Sequence, residues 1–253
     1  MIDWVIQTGV FDKEEDDKLI SSILKSGSNC LYVNKDTYVF SKEFYISGNY
    51  IFRGSLEKKK ELDNQDFCTN VYENLLQYNW SNYAPQENVL NSDYIIIPAG
   101  SVKKSKELIC DIFSGEELFI KPNDGCKLFA GTTLKKRWFE KEIDIIFGDA
   151  RRIIKHNDLI VFSSFKEIKN EVRVVMIEKE SITYGSYNTQ NDPWIKYIVD
   201  SLVINNPPNL IYTVDLCIDS GKIVEINSFA CAGLYPGTDY DVLVEKVNKF
   251  YEV

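Results

Sequence analysis

Three side chains near the C-terminus carry the clearest chemistry. Within Asn209 to Tyr235, NLIYTVDLCIDSGKIVEINSFACAGLY, Asp215 precedes Glu225 and Asn227. Two carboxylates and an amide oxygen are hard donors of the kind that hold Mg²⁺. The segment also reads as a β-hairpin. Leu210, Tyr212, Val214, Leu216 and Ile218 alternate with Thr213, Asp215 and Cys217, and Val224 and Ile226 alternate with Glu225 and Asn227. A three-residue loop Asp219–Ser220–Gly221, with Gly221 left-handed, sets Asp215 opposite Glu225 and puts Asn227 on the same face. A two-residue loop would mix apolar and polar faces. Opposed carboxylates repel. Either a divalent cation relieves the repulsion, or the face is an exposed acidic surface without an ion.

Further upstream lie candidate cationic groups. Lys121 ends a strand-like run, Leu118–Phe119–Ile120–Lys121, and Lys127 follows the turn Pro122 to Cys126. In a hairpin with a tight turn the two ammonium groups converge, and a triphosphate between them would offset their repulsion. The alternative is that both extend into solvent. In EVRVVMI, Glu171 and Arg173 share one strand face with Val175. Arg53 closes the candidate strand Tyr50–Ile51–Phe52, a position suited to an anion or substrate, or else to a solvated loop arginine. The single histidine, His156, lies in a charged segment and reads as a surface residue. Imidazole-rich metal sites are thereby excluded.

The elements that must position these groups follow from periodicity. Trp4 to Gln7 reads as a buried strand. Asp12 caps a helix with an apolar stripe of Leu19, Ile20, Ile23 and Leu24, and Glu15 completes a capping box. Cys30 to Val33 and Thr37 to Phe40 are further strands, Ser55 to Asp66 a loop or frayed helix, and Val71 to Gln77 a short helix. Tyr94 to Ile97 is a strand before a helix carrying Ile109 and Phe113. Lys135 to Ile146 reads as a helix burying Trp138, Ile143 and Ile146. Asp158 to Phe162, Glu171 to Ile177 and Ile182 to Tyr187 read as strands. Helices follow from Asp192–Pro193 and from Thr238 to Phe250.

The 253 residues suffice for one large domain or several small ones packed together. Hydrophobic content of 44% and charged content of 26% are those of a soluble globular chain. A formal charge of −9 argues against a general nucleic-acid or anionic-membrane binder. No apolar run has membrane-spanning length, and the first residues do not read as a signal peptide. Six scattered cysteines without a CxxC fit reduced thiols in a cytoplasm.

The order of these pieces resembles the ATP-grasp superfamily. More narrowly, Lys121–Pro122…Lys127–Leu128–Phe129–Ala130–Gly131 is similar to an Arg/Lys-Pro…Lys-x-Phe-x-Gly signature of small bacterial and phage ATP-grasp proteins. Val214–Asp215 before Val224–Glu225–Ile226–Asn227 is the most specific element. The resemblance covers roughly Glu116 to Tyr235. It departs from the narrower pattern at Lys121, where arginine is frequent, and at Ala130, where threonine is common.

The resemblance implies a mixed α/β architecture: an N-terminal pre-ATP-grasp α/β domain over 1–115 and an ATP-grasp domain of two α+β subdomains over 116–253. It implies ATP and Mg²⁺ as cofactors. Lys121 and Lys127 would hold phosphates, and Phe162, Ser163, Ser164 and Phe165 would form the adenine linker. Glu171 would bind ribose, and Asp215, Glu225 and Asn227 would hold Mg²⁺. Arg173, with Lys127, would stabilise the transferring phosphoryl group. The implied activity is a carboxylate–amine ligase working through an acyl phosphate, with a nucleotide-binding module or a phosphotransferase as alternatives. Its partners would be small-molecule or peptide carboxylates and amines, without nucleic acid or membrane, and a homodimer is left open. Arg53, Tyr187, Ser228 and Gly233 are the substrate contacts so implied.

Overall fold

Strands form where apolar and polar residues alternate, and helices where the apolar spacing widens to three and four. The computed structural model describes residues 2–34, 50–63, 75–83, 87–125, 128–187 and 193–251. The strands are β1 (Asp3–Thr8), β2 (Cys30–Asn34), β3 (Tyr50–Arg53), β4 (Tyr94–Pro98), β5 (Glu117–Pro122) and β6 (Thr132–Lys135). They continue with β7 (Leu159–Ser164), β8 (Glu171–Ile177), β9 (Glu180–Ser186), β10 (Ile211–Cys217) and β11 (Lys222–Ser228). The helices are α1 (Lys13–Lys25), α2 (Leu56–Asp63), α3 (Trp80–Tyr83), α4 (Lys106–Ile112), α5 (Phe139–Gly148), α6 (Pro193–Asp200) and α7 (Tyr240–Tyr251).

The chain divides into two units. The first comprises Met1–Asn74, Asn170–Gly221 and Glu225–Val253, the second Leu75–Lys169 and Lys222–Val224. Residue 115, the expected domain boundary, falls inside the second.

In the first unit a parallel sheet, β2-β1-β3, shares a core with α1, α7 and the second sheet, β11-β10-β8-β9. Trp4 and Val5 of β1 join Leu19 and Ile23 of α1 and Leu243 and Val247 of α7 there. The Trp4 indole donates to Asn248 at 2.9 Å, fixing β1 against α7. Asp12 does cap α1, accepting from the Glu14 N–H at 2.8 Å. The capping box does not form, because the Glu15 carboxylate is taken by Arg53.

The second sheet explains how one strand face serves two purposes. Ile177 of β8 stands opposite Ile211 of β10, and both enter the core. Further along the same face Arg173 stands opposite Asp215 and Glu171 opposite Cys217. One end of the face is therefore apolar and packed, and the other end polar. The opposite face, with Val172, Val174, Met176, Tyr212, Val214 and Leu216, is buried throughout. The β10–β11 connection is a correction to the expected turn. Ile218 to Gly221 makes a four-residue loop, closed by the Gly221 N–H donating to the Cys217 carbonyl at 2.8 Å. Gly221 is left-handed, at φ 66°, as the turn requires.

In the second unit the antiparallel sheet β4-β7-β5-β6 covers one face with α4 and α5 around Leu118, Ile120, Ile143 and Phe162. Alternation turns Tyr94, Lys121, Val161 and Ser163 to the other face. β5 pairs with β6, Ile120 opposite Thr132, and of the expected turn Pro122 to Cys126 the residues up to Gly125 are described. Lys135 is the end of β6 rather than a helical residue, and Trp138 is 53% exposed rather than buried. The charged stretch after Ser55 forms the helix α2. The expected strand Thr37 to Phe40, most of the expected helix Val71 to Gln77, Lys127 and Asp192 lie outside the described residues.

Candidate functional site

The polar end of the β8–β10 face is the best-built cluster of charge. Arg173 donates from Nε to Asp215 Oδ1 and from Nη2 to Asp215 Oδ2, both at 2.7 Å. Its third group, Nη1, donates to the Gly233 carbonyl at 2.6 Å, and Tyr235 lies under the guanidinium, 4.4 Å from ring centroid to Cζ. The Asn227 amide donates to Asp215 Oδ2 at 3.0 Å. That bond puts residues 215 and 227 on one face, and the two-residue period of β11 puts Glu225 there as well.

The electrostatics follow from this crowding. Burial alone would weaken the Arg173 charge, but Asp215 more than offsets it and holds the guanidinium above its ordinary pKa, with Glu225 adding to the effect. Burial, followed by the Asp215 and Glu225 charges, raises Glu171 above its ordinary value. The Tyr235 hydroxyl, which donates to Glu171, and the Arg173 charge pull partly the other way. Asp215 and Arg173 are thus a fixed ion pair, and Glu171 holds its proton more tightly than a free glutamate does.

Three hard oxygen donors, from Asp215, Glu225 and Asn227, suit Mg²⁺ in type. Asp215 Oδ1 accepts one bond and Oδ2 accepts two, from Arg173 and Asn227, so Oδ1 is the Asp215 oxygen with a lone pair left to offer. Among the described residues no three His, Cys, Asp or Glu side chains converge as a preformed cage. The set therefore fits an ion that takes one or two carboxylates and completes its shell from phosphate oxygens and water.

Next to the cluster, the loop after β11 is tied down from behind. Arg53, fully buried, donates to the carbonyls of Phe229 at 2.5 Å and Ala232 at 2.8 Å and pairs with Glu15 at 2.7 Å. Arg53 is neither a solvated arginine nor an exposed anion contact here. Ser228 is buried as well, whereas Tyr187 is 69% exposed with its ring 4.5 Å from that of Tyr235. The Glu15–Arg53 pair and Tyr235 were not distinguished by sequence. Their partners are far apart along the chain, and only the fold shows that Tyr235 bridges Glu171 and Arg173.

In the second unit Lys121 is buried, and its ammonium lies 4.5 Å from the centroid of the Trp80 ring. The following turn is held by the segment around α3. The Trp80 and Ser81 N–H groups donate to the backbone and side-chain oxygens of Asn123 at 2.8 and 2.9 Å, and the Gly125 N–H donates to Asn79 Oδ1 at 3.0 Å. Of the expected adenine linker, Phe162 packs in the core, stacked on Phe139. Phe162 and Ser163 pair with β4 on one side and β5 on the other. Their backbones are committed to the sheet, and Ser164, at the end of β7, pairs with Leu118 of β5. Phe165 lines a cleft of about 630 Å³ with Glu117, Lys135 and Arg137.

Comparison with solved structures decides the architecture. The D-alanine–D-alanine ligase of Coxiella burnetii superposes with a TM-score of 0.62 over 100% of this chain and 99% of its own, at 11% identity. The D-cycloserine synthetase DcsG matches with 0.62 over 99% of both chains, at 10% identity. The ATP-grasp ligase PsnB, solved with a precursor variant, Mg and ADP, matches with 0.55 over 98% and 96%, at 10% identity. The fold is that of the ATP-grasp ligases. The expected ATP-grasp architecture thus holds across nearly the whole chain, with identity low enough that only the fold is shared knowledge. No family model matches the sequence. A Chlamydia muridarum protein named provisionally as an outer membrane protein is 34% identical over 82 residues, 31% of this chain. That match spans 65% of the relative's length. Among the described residues of this ATP-grasp fold, no helix is long and apolar enough to cross a membrane.

Proposed function

We propose that the protein is an ATP- and Mg²⁺-dependent carboxylate–amine ligase that joins its substrates through an acyl phosphate. The observation that carries this reading is the forked Arg173–Asp215 pair, set beside Asn227 and Glu171 on one sheet face of an ATP-grasp fold. Phosphoryl transfer needs fixed positive charge where negative charge gathers, and a guanidinium locked by a fork and a carbonyl is fixed before substrate arrives.

In this reading Lys121, and Lys127 beyond the described residues, hold phosphates, while Ser164 and Phe165 meet the base. Glu171 binds the ribose hydroxyls. Asp215, Glu225 and Asn227 hold Mg²⁺, which when bound neutralises phosphate charge. Arg173 steadies the transferring group. The substrates are a small-molecule or peptide carboxylate and an amine. Gly233 and Ser228 border the acceptor side, and the exposed Tyr187 lies at its rim. Arg53 acts by anchoring the Phe229–Ala232 loop. The N-terminal α/β segment serves as the pre-ATP-grasp part, and the chain works in the cytoplasm.

The test is to incubate the protein with Mg-ATP and pooled amino acids or short peptides, following ADP, phosphate and new amide masses. Release of ADP and phosphate with a condensed product is expected. ADP with a stable phosphorylated acceptor would replace the ligase by a phosphotransferase. Binding of Mg-ATP without turnover in any pool would leave a nucleotide-binding module.

A further inference from the structure

The ligase reading does not use Trp80, whose ring meets the Lys121 ammonium. Trp80 is 1% exposed and fixed on two sides, edge-to-face with Tyr83 at 5.2 Å and with Tyr94 at 6.1 Å. Its backbone N–H is bonded to Asn123, so the ring stands over the sheet face from which Lys121 projects. Yet its indole Nε1–H is buried without an acceptor. A tryptophan at rest in a core normally satisfies that donor, as Trp4 does with Asn248.

A second orphan lies on the same sheet face. Ser163, opposite Tyr94 on one side and Phe119 on the other, is fully buried with its Oγ unpartnered. One buried ammonium and two buried, unpartnered polar atoms on one face form a set that a negatively charged, hydrogen-bond-accepting ligand would complete.

We propose that Trp80 is a nucleotide-binding residue, whose ring face holds the Lys121 ammonium and whose Nε1–H donates to a phosphate oxygen of ATP. The proposal rests on the ATP reading above and adds to it a contact from the α3 segment, outside every motif of the sequence. The ring orders the lysine before the ligand arrives, so less side-chain freedom is lost on binding. The segment carrying Trp80 is bonded to Asn123 and Gly125, so the residue and the turn beside Lys121 are held as one piece.

Indole N–H resonances of the ¹⁵N-labelled protein test this, with titrations of Mg-ATP and of adenosine and with affinity measured by calorimetry. The chain has four tryptophans. Trp80 is assigned by Trp80→Phe, or by elimination with Trp4→Phe, Trp138→Phe and Trp194→Phe. The Trp80 resonance is expected to move downfield with Mg-ATP and stay in place with adenosine. Trp80→Phe, which keeps the ring contacts, should weaken ATP about tenfold through the lost charged hydrogen bond. Trp80→Leu should weaken it about threefold further. ATP binding with an unmoved Trp80 resonance, or with unchanged affinity in Trp80→Phe, overturns this proposal alone. Absence of any ATP binding to the wild-type protein overturns it together with the ligase reading.

Discussion

Arg173 and Asp215 face each other across β8 and β10 and are joined by two bonds of 2.7 Å, with only 10% and 4% of their side chains exposed. A pair this dry is costly to break from one side. Arg173→Ala should lower unfolding free energy by about 3–5 kcal/mol, because it strands the Asp215 charge. The double variant Arg173→Met with Asp215→Leu should recover much of that loss. Urea denaturation of wild type, Arg173→Met, Asp215→Leu and the double variant measures the coupling, and additive losses would show that the pair is not the unit it looks to be.

Arg173→Lys separates charge from shape. Lysine keeps the positive charge but cannot make the two-pronged contact and the Gly233 bond together. ATP-dependent ADP formation should fall by about 10²-fold or more, with a smaller change in thermal midpoint than Arg173→Ala shows. A variant with wild-type turnover would remove Arg173 from the chemistry.

Glu171 supplies a pH signature. Its pKa is raised in the folded protein, first by burial and then by Asp215, so the native state holds this proton more tightly than the unfolded chain does. Its contribution is fully present below the ordinary value of 4.5 and is lost as pH rises through the folded pKa. Glu171→Gln cannot ionise. Its urea midpoint relative to wild type should therefore climb with pH above that value, and parallel curves across the range would contradict the assignment.

The Glu15–Arg53 pair should be required for the loop rather than for nucleotide. Arg53→Met removes the donors to Phe229 and Ala232 and strands Glu15, whose pKa burial has already raised. Stability should fall by about 3–5 kcal/mol. Protease cleavage within Phe229 to Gly233 should speed up, while Mg-ATP still raises the midpoint at low temperature.

Gly185 marks a close backbone approach. A Cβ there would stand 2.3 Å from the Tyr235 carbonyl and 2.7 Å from Thr238 Oγ1. Gly185→Ala should destabilise by about 1–3 kcal/mol and displace Tyr235 from Arg173 and Glu171. The Tyr235 shift is read as a loss of turnover exceeding that of a surface Gly148→Ala control, where a Cβ meets nothing.

The acid-bearing hairpin was legible because a period of two is local: Tyr212, Val214 and Leu216 point into the core, and Asp215 points away from them. Glu171 and Arg173 were legible for the same reason. Their partners were not. Arg173 chooses Asp215 across a strand pairing 42 residues distant, and nothing in EVRVVMI distinguishes that from a surface pair with Glu171. Glu15 stands where a capping box wants it, yet a buried guanidinium competes more strongly than an exposed N–H. The loop before β11 is one residue longer than the pattern predicts, and Gly221, left-handed in either length, does not tell the two apart. Trp138 reads as core by helical spacing, but the helix begins one residue after it.

The first unit's core has a consequence for the order of synthesis. Val5 and Ile51 are packed with Ile211, Phe229 and Val247, so the opening strands wait for the last helix before they can close. The second unit is almost continuous, running from Leu75 to Lys169. A chain emerging from the ribosome thus completes its middle first, while its beginning is held open with Trp4, Tyr50 and Phe52 still unburied. During that interval the nascent protein is most exposed to aggregation and most in need of a chaperone.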